Sequence, residues 1–476
     1  AAQRTDTKMR TVDIGKDVLS YLGKSFYSAD AYFKGYFDNV KVYNRALSET
    51  EIAEEAGIEL DLLKNISSKD VSIVKQEIDQ TNKKVTLYAT NFAYDLSSMA
   101  SKKADLKNIA LDFDVVEGST LTEAESYDLT KDFTVTVNRG EKSSTYTVST
   151  VICNNPVLGG EFADPDIDYF DGKYWIVATT DGYGGSAGRW TSYDFHIFSS
   201  EDLVSWEDEG VILDVKNKTP GLNKNGVQIA SVPWSVGSAW APTIEEKDGK
   251  YYFYYCGNVN SSYTGTCGSG KAIGVAVADN PEGPFTAKET PIVYPSMVNN
   301  AGIGFSGQVI DPSIFTDDDG TSYLLFGNGN SAIVQLDDTM TGIVSGTMKN
   351  YTGATDFREA ITVNKVDGKY HFTWSCDDTG SENYHVNYGV SDSLYGPITY
   401  KYQLWAKDLA NNIKGPAHHS ILQVPGTKDF YIAYHRFLTP LGQVTSGYGY
   451  HRETCIDKLI YNEETQLFEA GTPTLE

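Results

Sequence analysis

Three carboxylates and a histidine recur at one place in an internal repeat. The chain reads Asp164-Pro165, Ala241-Pro242, Asp311-Pro312, Glu359-Ala360 and His418-His419, each pair standing eight or nine positions ahead of a turn glycine. Acidic side chains that converge on one pocket support general acid-base work on an acetal. One carboxyl must be protonated to release the alcohol, and another must be ionised to activate water. A third carboxylate nearby adds repulsion to partial burial, which raises at least one pKa and keeps an acid protonated near neutral pH. Any single Asp-Pro pair is more simply a strand start or a loop end. Acidic residues at the same repeat offset three times turn that reading toward a site.

The elements that must position these residues are hairpins. Asp171-Gly172, Asp248-Gly249, Asp319-Gly320, Asp367-Gly368 and the stretch Gly426-Thr427-Lys428-Asp429 each lie between apolar, aromatic-rich runs. Asp-Gly between two such runs is a strong hairpin signal, because a tight primed turn needs positive φ, where glycine costs nothing. Five hairpins predict five similar sheets. If the sheets are radial blades, equivalent positions on the innermost strands face one axis, and the carboxylates and His418 meet there. The predicted fold is all-β, a five-bladed β-propeller with roughly 60 residues per blade.

The chain has 476 residues, enough for two or three domains, and its 32 Tyr and 43 Gly against 5 Met favour strands and turns. A net charge of -25, with no clustered Lys and Arg, argues against nucleic acid and for a neutral or weakly charged ligand. No apolar run is long enough to suggest a membrane span. The start, Ala1-Ala2-Gln3-Arg4, carries neither Met nor a signal-peptide core, so a mature or trimmed segment is expected. The five cysteines show no C-x-x-C spacing, which indicates neither a zinc site nor a disulfide framework. Cys256 and Cys267 could pair across a loop; the rest are expected to be buried small hydrophobes.

Three segments are expected: 1–57, 58–152 and 153–476. In the first, Ser48-Glu49-Thr50-Glu51 is a capping box that opens a short helix. The run from Tyr32 to Ser48 resembles the last strands of laminin-G-like, concanavalin-type jelly rolls. In the second, runs such as Val85-Thr86-Leu87-Tyr88 and Phe133-Thr134-Val135-Thr136-Val137 alternate with period two, predicting a small β-sandwich. It resembles the immunoglobulin-like spacers of secreted bacterial enzymes.

In the third segment the motifs themselves resemble a family. Asn155-Pro156-Val157-Leu158, Ala163-Asp164-Pro165-Asp166-Ile167, Trp240-Ala241-Pro242, Asp311-Pro312-Ser313-Ile314, Arg358-Glu359-Ala360, Gly415-Pro416-Ala417-His418-His419-Ser420 and Arg452-Glu453-Thr454 are similar to the ordered motif series of glycoside hydrolase family 43. The resemblance implies a five-bladed propeller that hydrolyses arabinose- and xylose-containing glycans with inversion. By position it makes Asp164 the general base, Glu359 the general acid, and Asp311 the residue that orients Glu359 and raises its pKa. Asp166 competes with Asp164, since alternation along a strand puts both on one face. The family motif favours Asp164, the carboxylate directly before proline.

His418 and His419 adjoin on a strand and must face opposite ways. The resemblance directs His418 to the axis, where in many relatives it coordinates calcium or its waters. Calcium prefers oxygen, so such an ion would be mostly water-bound. Ala417 departs from the glycine frequent in the motif. Trp240 is expected to stack on a sugar face and Arg452 to bind the terminal sugar's hydroxyls. Trp206, Trp234 and Trp374 are expected in the core or at the rim. Loops at 182–191, 258–268 and 438–448 are expected to wall the pocket. The implied protein is extracellular and acts on hemicellulose or arabinan. An exo-acting α-L-arabinofuranosidase ranks first, then a β-xylosidase and an endo-arabinanase. A non-catalytic carbohydrate-binding propeller is the competing class.

Overall fold

The computed structural model describes residues 43, 45–57, 60–95, 100–181, 190–439 and 448–476. The resemblance of 32–48 to a jelly roll falls mostly outside them, as do most of the loops at 182–191 and 438–448. Helix Glu49–Ala56 opens with the expected capping box: Ser48 N donates to Glu51 Oε2 at 2.8 Å, and Glu51 N to Ser48 Oγ at 3.2 Å. No helix among the described residues is long and apolar enough to cross a membrane.

Residues 63–153 form a five-stranded sheet, from Ile73–Asp79 through Lys84–Thr90, Lys142–Cys153 and Phe133–Arg139 to Thr120–Leu121. A two-stranded sheet, Leu63–Ser67 with Asp112–Val115, lies beside it. Val85, Leu87, Val135, Val137, Tyr146 and Val148 fill one core, the inward half of the period-two pattern. This unit packs directly on the next. Val74 and Cys153 share a cluster with Ile413 and Leu475, and Ser72 Oγ donates to the Thr439 carbonyl at 3.2 Å. A Cβ on Gly159 would lie 2.5 Å from the Phe92 ring, so that contact admits only glycine.

The third segment holds five sheets, here blades I to V, antiparallel throughout except that Ala230–Ser231 pairs parallel at the edge of blade I. Their innermost strands are Phe162–Phe170, Trp240–Lys247, Ser313–Thr316, Phe357–Val366 and Ala417–Gln423. Each innermost strand touches the next, and the fifth touches the first, so the ring is closed. Each interface between neighbouring blades holds its own apolar core. Trp175 and Trp234 lie between blades I and II and Trp374 between III and IV, as core residues, while Trp206 is half-buried. All five cysteines are buried and free, so Cys256 and Cys267 do not pair.

Blade V has three strands and is completed by residues that precede blade I. Val157 N donates to the Thr454 carbonyl at 2.9 Å, and the Asn155 side chain accepts from Ile456 N at 2.8 Å and donates to its carbonyl at 3.0 Å. A side chain thus does the work of a strand edge.

The hairpin turns are as expected at three places. Asp171 and Gly172 have φ 53° and 76°, Asp248 and Gly249 54° and 73°, Asp367 and Gly368 50° and 80°, the two positive angles of a type I′ turn. Each innermost strand, or in blade III the residue two ahead of it, also presents a residue other than glycine in the left-handed region: Asp164 (52°), Ala241 (40°), Asp311 (58°), Ala360 (56°) and His418 (45°). Register slips mark bulges there in blades I, II, IV and V. A bulge breaks the ladder, so Pro165, Pro242 and Pro312 sit where no backbone N–H is needed.

These five residues are the structurally equivalent ones, and this corrects one expectation. Glu359 does not share the offset of Asp164 and Asp311; Ala360 does. Glu359 stands one residue earlier and pairs with Ser375, as Ala163 pairs with Thr179, Trp240 with Cys256 and Ala417 with His435. The repeat therefore supplies two acids at one register and a third from the neighbouring one.

Candidate active site

A cavity of about 280 Å³ at one end of the axis is lined by Asp164, Asp311, Glu359, Trp240, His418 and Arg452, all six residues predicted for a site. Trp190, Gln308, Ile310, Asn328, Arg358, Asp378 and Thr379 complete its wall. Below it, a cavity of about 30 Å³ is ringed by the five left-handed residues together with Asp166 and His419.

Asp164 is 5% exposed and fully engaged. Its Oδ1 accepts from Arg452 Nη1 at 2.7 Å and lies 3.0 Å from His435 Nδ1 and 3.2 Å from His418 Nδ1; its Oδ2 accepts from Thr179 Oγ1 at 2.7 Å. Burial alone would raise its pKa, but its charged and polar surroundings, the Arg452 charge foremost, outweigh it and hold the carboxyl well below the usual range. Asp164 is therefore a carboxylate at neutral pH.

One guanidinium cannot neutralise two acids equally. Arg452 gives its other edge to Asp181, Nε to Oδ2 at 2.8 Å and Nη2 to Oδ1 at 2.9 Å. Burial nonetheless pushes Asp181 up to about 6 against the Arg452 charge. Arg452 does not pair with Glu453, which instead meets Arg436 at 2.8 Å. Its planar face lies over the Trp190 ring, 5.2 Å from the centroid.

Asp311 is the opposite case. Burial, then the neighbouring Glu359 and Asp164 charges, push it well above the usual carboxylate range, and its Oδ2 has no partner. The backbone N–H of Ala360, directly after Glu359, faces this carboxyl. Glu359 itself accepts from Tyr384 OH at 2.7 Å on Oε1 and from Asn328 Nδ2 on Oε2. Asp311, buried and beside the Glu359 and Asp164 carboxyls, therefore keeps its proton.

Asp166 is drawn away from the upper cavity. Its Oδ2 accepts from Ile244 N at 3.1 Å in blade II, and burial raises it to about 6. His418 and His419 face different ways, as adjacency required. His418 lines both cavities, whereas His419 lines only the lower one and bonds Thr373 Oγ1 at 2.7 Å. Trp240 is half-buried in the pocket wall, its indole N–H donated to the Trp190 carbonyl at 3.0 Å.

Calcium was expected near His418. Among the described residues no group of three or more His, Cys, Asp or Glu is arranged to hold a metal. The lower cavity has room for about one water-sized body and carries His418 and Asp311 on its wall. His418 also lines the upper cavity, so an ion beside it would take its water ligands from there, with His418 as its protein donor, and among the described residues no protein cage surrounds the place.

Sequence reasoning missed Thr179, Asp181, Trp190, Asn328, Tyr384 and His435. Thr179 and His435 are the hairpin partners of the residues just before Asp164 and His418. Counting back through each turn reaches them, once the bulge is allowed for.

A closed ring of blades with an ionised acid, a protonated acid and a third carboxyl lining one pocket is the build of a propeller glycoside hydrolase. Residues 153–466 match the glycosyl hydrolases family 43, and the chain belongs to that family. Residues 1–53 match the concanavalin A-like lectin/glucanases superfamily.

The chain is 30% identical over 347 residues to a β-D-galactofuranosidase of Aspergillus niger, covering 69% of this chain and 88% of that one. It is 26% identical to an arabinoxylan arabinofuranohydrolase of Paenibacillus polymyxa, covering 66% of this chain and 51% of the relative. An α-L-arabinofuranosidase structure from Clostridium thermocellum superposes with a TM-score of 0.50 at 27% identity, covering 66% of this chain and 94% of the other.

Proposed function

We propose that the chain is an exo-acting, inverting α-L-arabinofuranosidase that removes arabinose side chains from hemicellulose, with Asp164 as general base, Glu359 as general acid and Asp311 orienting Glu359. The observation that carries this reading is the split electrostatics of one pocket. Asp164 is ionised beside Arg452, and Asp311, beside Glu359, keeps a proton. In this reading a water between the two sides loses a proton to Asp164 as it attacks the anomeric carbon. Glu359 delivers a proton to the departing oxygen in the same step. An inverting pair needs carboxyls roughly 6.5 to 9.5 Å apart to admit that water.

Trp240 and Trp190 offer apolar faces to the sugar ring, and Arg452 directs its hydroxyls from the position Asp181 fixes. A calcium ion would be held by His418 and water, and when bound would add positive charge beneath Asp164. Arabinoxylan and related polymers are the proposed partners, which places the enzyme outside the cell. The relatives named for arabinofuranoside hydrolysis support the ranking, with β-xylosidase and endo-arabinanase action behind it.

The name of the Aspergillus relative favours one further reading. A β-D-galactofuranosyl unit carries the ring configuration of α-L-arabinofuranose with one more exocyclic carbon. The test is initial rates on p-nitrophenyl α-L-arabinofuranoside, β-D-xylopyranoside and β-D-galactofuranoside, with Glu359→Ala as control. Arabinoside preference lost in the variant is expected. No reaction on any of the three would end the exo-acting reading.

A further inference from the structure

The left-handed residue of each bulge has a backbone N–H that the broken ladder no longer satisfies, and a buried orphan of this kind is costly. The same device meets it in successive blades: a side chain from the second strand of the preceding blade. Ala241 N in blade II donates to Thr179 Oγ1 of blade I at 2.7 Å, and His418 N in blade V donates to Ser375 Oγ of blade IV at 3.0 Å. Asp164 N in blade I donates to His435 Nδ1 of blade V at 3.2 Å, across the seam where the ring closes. Thr179, Ser375 and His435 hold the same register, each paired with the residue just before its own blade's bulge. At two positions a hydroxyl suffices, and at the one that carries Asp164 the acceptor is an imidazole.

We infer that His435 is a positioning residue for Asp164: its neutral imidazole accepts the Asp164 backbone N–H through Nδ1 and so holds the left-handed bulge that aims the carboxylate. The inference rests on the reading of Asp164 as general base. A left-handed conformation at a residue other than glycine persists only where its surroundings over-determine it. Asp164, at φ 52°, is such a residue. The rest of the ring agrees with a bare Nδ1. His435 Nε2 lies 3.3 Å from Thr379 Oγ1, which can accept its proton. His435 is fully buried, where a charged imidazolium would be costly. It stacks on Tyr384, 5.6 Å between centroids, and Tyr384 in turn donates to Glu359. One imidazole thus lies between the backbone of the base and the hydrogen-bond donor of the acid. A ring protonated on Nδ1 would instead donate to Asp164 Oδ1, 3.0 Å away, and give up the amide.

The test compares His435→Thr with His435→Val, which differ only in the hydroxyl that could replace the imidazole as acceptor, beside Asp164→Asn and the wild type. Values of kcat and KM on p-nitrophenyl α-L-arabinofuranoside are measured separately. The Val variant is expected to fall about 10- to 100-fold below the Thr variant in kcat, the rate equivalent of one hydrogen bond of this kind in a buried site, with little change in KM. Equal kcat in the two variants would overturn the inference. Wild-type kcat in Asp164→Asn would instead overturn the reading of Asp164 as the base. Should both His435 variants fail to fold, ¹⁵N NMR of the histidine-labelled wild type decides: a bare Nδ1 with a proton on Nε2 is expected, and a proton on Nδ1 contradicts it.

Discussion

Arg452 and Asp181 are joined by two parallel hydrogen bonds, at 2.8 and 2.9 Å, in a pair whose side chains are 3% and 5% exposed. The fork fixes the guanidinium plane, and only then can its remaining edge meet Asp164. Without Asp181 the buried Arg452 charge keeps only Asp164, and the fork that holds its plane is gone. Asp181→Ala is therefore expected to lower stability by about 3 to 5 kcal/mol and to raise KM. Calorimetry with steady-state kinetics checks both; an unchanged melting temperature would contradict the pairing.

Tyr384 donates to the carboxyl proposed as the acid, at 2.7 Å. Tyr384→Phe deletes that donor with little change of shape. The expected loss is about tenfold in kcat on substrates with poor leaving groups, from one hydrogen bond to a reacting group. A loss in KM alone would mean that Tyr384 serves binding.

The ring is fastened by a buried ion pair remote from the pocket. Arg436 meets Glu453 at 2.8 Å and also donates to the carbonyls of Asn155 and Thr474, so both ends of the propeller depend on it. Glu453→Ala is expected to cost about 3 to 5 kcal/mol in urea unfolding while leaving KM unchanged at temperatures where the protein stays folded.

His451 Nδ1 lies 2.8 Å from Glu161 Oε2 beside the pocket, and this contact raises the His451 pKa. A folded pKa above the unfolded value near 6.5 means that the folded state binds the proton more tightly. The stabilisation is complete below about pH 6.5 and is lost as pH rises through the folded value. Melting temperature should fall over that rise in the wild type and fall less in His451→Gln. Identical profiles would show that the pair carries no linked proton.

The turns and the ring were legible because Asp-Gly between aromatic runs encodes its geometry locally, as Asp171-Gly172 does at φ 53° and 76°. Asp164, Asp311, His418 and Arg452 were legible because each sits in a short motif. Glu359 was found at the wrong register. Its bulge, not the repeat spacing, decides that Ala360 takes the left-handed position and Glu359 the one before it. Asp181, Tyr384 and His435 could not be read at all from local pattern. Arg452 and Asp164, the partners of Asp181 and His435, lie in the neighbouring blade and meet them only when the ring closes, and Tyr384 meets Glu359 within blade IV across the intervening strand Lys369–Cys376.

The most direct test of the account is the dependence of rate on leaving group in Glu359→Ala and Asp164→Ala. A 2,4-dinitrophenyl arabinofuranoside departs with little need of protonation, whereas an alkyl or sugar leaving group requires an acid. Glu359→Ala is expected to stay near wild type on the first and to fall about 10²- to 10⁴-fold on the second, while Asp164→Ala falls by that order on both. Equal losses in the two variants on every leaving group would contradict the assignment of acid and base.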